Sequence, residues 1–231
     1  MDKKVKIVII AILLAVICSI FLYGNNQHNT FNQTADHWEN DYGTVDKYIL
    51  GNNNSSTEMV LIAGIHPREK LAIEPEIEAA RQFASNHDVR FIVYHVKVTN
   101  NPTDYQASRE QGESLVHDFI VPDISNTHAQ SVIISHSHVK GYGEGFYLAT
   151  PEMDKASVDI ASKIAKSSDF NYFPRNVSKP VEATSAILVS NPIAQAGYPT
   201  FVYEIPEDIT DHDSTNKAIE LFDLMYNIVK K

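Results

Sequence analysis

This chain of 231 residues has almost no cysteine. The single one, Cys18, sits in an apolar run near the N-terminus, so nothing after it can form a disulfide or serve as a thiol nucleophile. Basic charge is also scarce, with 19 lysines and arginines against 29 aspartates and glutamates and a formal net charge of -10. That balance argues against nucleic acid as a partner, because phosphate binding needs a basic face. There is no internal repeat, and no Gly-x-Ser-x-Gly elbow of the kind serine hydrolases carry.

One long hydrophobic run is present. Residues 7 to 23 carry no charge and follow Lys3, Lys4 and Lys6. The run is at the short end of what spans a hydrocarbon core of about 30 Å, and reads as a signal peptide or a signal anchor. No small-x-small cleavage site is evident, which favours an uncleaved anchor. Ile17 stands where a lipidation signal before Cys18 would want a small residue. The basic flank keeps the N-terminus inside and sends the rest of the chain out of the cytoplasm. The domain organisation expected is therefore an anchor or signal over 1–23, an Asn-, Gln- and His-rich tether over 24–40, and one catalytic domain over 41–231. If the N-terminal segment is cleaved, the domain is secreted.

Periodicity predicts strands over 59–65, 90–98, 131–136, 146–149, 186–189 and 199–205. Helices are expected over 71–85, 108–120 (where Val121-Pro122 stops it), 154–165 and 216–229. The partly apolar face of 90–98 suggests a strand near a sheet edge. Such alternation indicates an α/β fold, a three-layer α/β/α sandwich around a mostly parallel or mixed sheet.

Chemistry concentrates at the ends of these strands. His66 and Glu69, three apart after 59–65, can close on one divalent metal; a catalytic zinc takes three protein ligands and keeps a position open for water. A helix start with a carboxylate answering its dipole would account for Glu69, but not for His66 or for a second histidine in the same setting. That histidine is His136, in Ser135-His136-Ser137-His138 at the end of 131–136. His138 competes with it, because alternate residues of an extended chain point the same way. Glu204 is delivered by the strand 199–205 as a candidate general base, with Glu207 close by as a rival.

The ordered set H-x-R-E, then H-S after a strand, then a strand-borne glutamate resembles the zinc metallocarboxypeptidase family, including its shorter branch of succinylglutamate desuccinylases and aspartoacylases. The resemblance implies Zn²⁺ held by His66, Glu69 and His136, with Glu204 as the catalytic glutamate and Arg68 as the motif arginine beside the metal. Arg109 stands where related enzymes carry an arginine that stabilises the oxyanion or grips a carboxylate; Arg175 is a second candidate for substrate contact. No Asn-Arg pair follows to hold a substrate's terminal carboxylate, and no tyrosine lies between Phe173 and Gly197 to match the family's mobile one.

The implied reaction is amide hydrolysis, with Glu204 taking a proton from water and returning it to the leaving amine. Peptides and N-acyl amino acids are the expected substrates, a surface or cell-wall peptide being the more natural for a domain outside the membrane. The rival reading is an inactive surface binding protein that keeps the fold.

Overall fold

A computed structural model describes residues 13, 14, 16, 34–176, 178, 180, 181 and 183–230. Residues Met1–Gln33 and Thr34–Lys231 form separate units. Leu13, Leu14 and Val16 are helical; the rest of the run expected to anchor the chain lies outside the described residues. Among the described residues no helix is long and apolar enough to cross a membrane.

The second unit is built on one eight-stranded mixed sheet. Its strands are β1 (Thr34–Asn40), β2 (Gly43–Gly51), β3 (Glu58–Ala63), β4 (Arg90–Val98), β5 (Ser131–His138), β6 (Tyr147–Thr150), β7 (Asn171–Pro174) and β8 (Thr200–Pro206). They lie in the order β1-β2-β4-β3-β5-β8-β6-β7. Four central neighbours, β4, β3, β5 and β8, run parallel; β1 and β2 are antiparallel additions on one side, and β6 runs antiparallel to β8 on the other. β3 and β5 are buried along their whole length, as their near-continuous apolar runs require of parallel strands covered on both faces.

Helices cover both faces. On one, α1 (Glu74–Asn86) and α6 (Asp211–Val229) bring Phe83 and Phe222 edge-on to Phe91 of β4. Such contacts add roughly 0.5–1.5 kcal/mol each beyond area burial. On the other face, Val60, Ile62, Ile92, Val132 and Ile134 pack with Leu115, Ile120 and Ile124 from α2 (Tyr105–Leu115), a π turn (Val116–Ile120) and α3 (Val121–Ile124). Val189 and Ile193 join them from a second π turn (Ala186–Ser190) and α5 (Asn191–Gln195). α4 (Lys155–Ser167), capped by Asp154 accepting from the Ser157 N–H, precedes β7.

Four expectations give way here. Residues 34–40, assigned to the tether, are β1: a short turn at Asp41-Tyr42 folds them back on β2, and Trp38 stacks on Phe119, 6.5 Å between ring centroids. The folded unit thus begins before residue 41. β4 is interior, flanked by β2 and β3; its polar Lys97 pairs with Asp46 of β2. Residues 186–189 are helical, since a short apolar run fits a buried helical turn as well as a strand. Val121-Pro122 does not end the helical path, because Pro122 falls in the first turn of α3, where its missing N–H costs nothing.

Candidate metal centre

β3 is followed in space by β4 on one side and β5 on the other, so the C-terminal ends of β3 and β5 straddle the point where the chain reverses its direction of winding. Open α/β sheets place ligands in the crevice at such a point. His66 and Glu69 follow β3 there, after Gly64 turns the chain out of the strand at a φ of 89°. His136 lies within β5, opposite Glu204 of β8 in parallel register.

The three expected ligands meet. His66 Nδ1 is 2.8 Å from Glu69 Oε1, His136 Nδ1 is 2.9 Å from Glu69 Oε2, and the two Nδ1 atoms are 3.1 Å apart. One ligand atom from each residue lies within 4.8 Å of the others. On its far side, His66 Nε2 is 3.2 Å from Glu113 Oε1. With its single neutral proton donated to Glu113, His66 directs the Nδ1 lone pair at a carboxylate and at the other imidazole. Such a convergence of lone pairs is what a cation satisfies, and two imidazoles with a carboxylate suit zinc.

Burial works against charge on His66, yet the hydrogen bonds to Glu113 and Glu69 raise its pKa on balance. For Glu69 burial likewise favours the neutral acid, but His136 and His66 outweigh it and hold the carboxyl well below its ordinary range. Arg109 adds a 2.8 Å hydrogen bond to Glu69 Oε1.

Sequence reasoning missed Glu113. It reaches His66 because α2 packs directly on the chain after β3; a Cβ at Gly112 would stand 1.7 Å from the Ile65 carbonyl oxygen. Only glycine permits that approach, and a Gly-Glu pair on a helix facing the strand end is the signal that could have found it. A metal-bound histidine commonly gives its second N–H to a carboxylate of this kind.

Of the competitors, His138 borders the same cavity but is not part of the cluster; its Nε2 is 3.0 Å from the Gly145 carbonyl and its Nδ1 3.3 Å from that of Val139. Glu207 is exposed and accepts from the Ser137 hydroxyl at 3.0 Å. Glu204 borders the same cavity, of about 660 Å³. Burial, reinforced by Glu69 and opposed by His136 and Arg109, pushes its carboxyl up to about 7.

The three arginines separate. Arg109 joins the cluster; Arg68 is exposed at its rim, and both guanidinium groups sit over the Tyr105 ring, 5.6 and 5.5 Å from its centroid. Arg175 lines the opposite wall, where it donates to the Pro151 carbonyl at 3.2 Å and pairs with Glu152 at 3.4 Å.

The fold has known counterparts. A metallo-carboxypeptidase from Pseudomonas aeruginosa, solved with (2-guanidinoethylmercapto)succinic acid, superposes with a TM-score of 0.57 at 13% identity, over 89% of this chain and 68% of that one. This chain has the metallo-carboxypeptidase fold. A metallo-carboxypeptidase from Burkholderia cenocepacia gives 0.57 at 14% identity, over 87% of this chain and 66% of its own. The tripeptide-bound cell shape determinant Csd4 of Helicobacter pylori gives 0.54 at 12%, over 80% of this chain and 55% of that one. The chain thus spans about two thirds of the first two proteins and little more than half of the third. No family model and no curated protein matches the sequence.

Proposed function

We propose that the protein is a zinc-dependent amide hydrolase of the carboxypeptidase or deacylase type, held at the membrane by residues 7 to 23 with its catalytic domain outside. The observation that carries this reading is the convergence of His66 Nδ1, His136 Nδ1 and Glu69 at the C-terminal ends of β3 and β5. These three residues would hold the zinc, with Glu113 orienting His66. Bound there, zinc supplies a Lewis acid that polarises the amide carbonyl and makes water more acidic.

The protein's own groups do the rest. Glu204 accepts a proton from the attacking water as the C–O bond forms, then delivers it to the amine as the C–N bond breaks, leaving a carboxylate and a free amine. Its carboxyl, held near neutrality by burial, is suited to both transfers. Arg109 keeps Glu69 in place and presents positive charge to the developing oxyanion.

Peptides are the substrate class this reading favours. Structures of the same fold hold a tripeptide or mDAP in Csd4, a D,L-carboxypeptidase, and a domain outside the membrane meets cell-wall and surface peptides. N-acyl amino acids remain the second class to test. The experiment is hydrolysis of both classes by the zinc-loaded full chain, with Glu204→Gln as control. Release of an amino acid by wild type alone supports the reading; bound zinc without hydrolysis of either class favours a binding protein instead. External protease applied to intact cells tests the topology, since an outward domain is degraded and an inward one survives.

A further inference from the structure

Across the sheet, His136, Glu204 and Tyr147 stand in one row on β5, β8 and β6. His136 is opposite Glu204 in parallel register, and Glu204 is opposite Tyr147 in antiparallel register. Residues directly opposite on neighbouring strands project from the same face, about 4.8 Å apart. The order of the row is therefore metal ligand, proton carrier, phenol.

Tyr147 is held firmly. Its ring lies 5.3 Å from that of His138 and edge-on to Phe173 at 4.8 Å. The Gly143 backbone presses on it so closely that a Cβ there would come within 2.3 Å of Tyr147 Cε1. The residue is 7% exposed and lines the cavity. Among the described residues its hydroxyl has no hydrogen-bond partner, and burial, reinforced by the nearby Glu204 carboxylate, pushes its pKa above the ordinary phenol value. A rigid ring thus presents one unpartnered O–H to the cavity, and it keeps its proton at any pH the protein meets.

We infer that the Tyr147 hydroxyl donates a hydrogen bond to the α-carboxylate of the leaving amino acid. This rests on the amide hydrolase reading. Glu204 returns its proton to the leaving amine, so the side of Glu204 away from the metal is where that half of the substrate lies. In both the carboxypeptidase and the deacylase reactions the leaving half is an amino acid, with a carboxylate one carbon from the nitrogen. Arg175 on that wall gives one guanidinium nitrogen to Pro151 and Glu152, whereas among the described residues the Tyr147 hydroxyl makes no hydrogen bond and its strand position is directly opposite Glu204.

The test is Tyr147→Phe in the zinc-loaded full chain, which keeps the ring and its packing. Steady-state kinetics are measured on a panel of N-acetyl-alanyl amino acids with small, acidic, basic and aromatic leaving residues, with zinc content and melting temperature read on the same preparations. Loss of a hydrogen bond to a charged group should raise KM about tenfold or more across the panel, with kcat changed far less. An unchanged KM, or a fall in kcat alone, overturns the inference while the zinc and the wild-type activity preserve the hydrolase reading. A wild type without zinc or without activity on any member overturns both.

Discussion

The two walls of the cavity use their polar atoms in opposite ways. On the β3–β5 side, His66, Glu69, His136, Glu113 and Arg109 are bound to one another, and the lone pairs of the first three converge on one point. On the β6–β7 side, Tyr147, Phe173 and the exposed Tyr142 offer aromatic surface, and among the described residues the Tyr147 hydroxyl makes no hydrogen bond. A wall that is satisfied internally fixes geometry, whereas a wall with free donors waits for a ligand. On the proposed reading, the chemistry is set on strand ends and recognition on short strands and a glycine-rich loop.

The difference can be tested by removing pieces of each wall. The largest effect should come from chelation: stripping metal from the full chain should reduce hydrolysis to background, and zinc should restore it. Glu204→Gln is expected to retain zinc and fold while turnover falls by about 100-fold or more; a near-normal rate would transfer the role to Glu207. Glu113→Ala should weaken zinc affinity by about 10- to 100-fold, as loss of a carboxylate behind a ligating histidine does, and competition with a chromophoric chelator measures it.

A smaller effect distinguishes two carboxylates on the same segment. Glu69 is held ionised, whereas Glu76 of α1 is completely buried near Ser135 and Ser214, and burial raises its pKa well above the ordinary value of 4.5. A carboxyl with a raised folded pKa contributes stability below its unfolded value and loses it as pH rises above that value. Glu76→Gln, which needs no proton, should therefore gain on wild type as pH increases from 4.5 to 8, by a few degrees in Tm. A gap between the two melting temperatures that does not change with pH would show Glu76 ionised in the fold.

The His66–Glu69–His136 cluster was legible in the sequence because its residues are close in the chain or sit on strands with clear apolar runs. His66 and Glu69 follow one such run and His136 ends another, and three layers follow from their alternation with helices. The opposite wall was not legible. Tyr147 and Phe173 lie on four-residue strands, too short to show a period, and their place beside Glu204 depends on an antiparallel pairing that no local pattern encodes. Glu113 was hidden for a related reason, since its partner is 47 residues away and only the Gly112 approach brings them together. β1 was lost to composition: asparagine and histidine suit an edge strand pinned by one tryptophan as well as they suit a tether.

The central claim is that His66, Glu69 and His136 hold one zinc, and metal analysis of the purified full chain tests it most directly. Wild type and His138→Ala should each carry one zinc per chain, while His66→Ala and His136→Ala carry none. A wild type without zinc under metal-replete conditions, or a His66→Ala protein that retains it in full, would contradict the account.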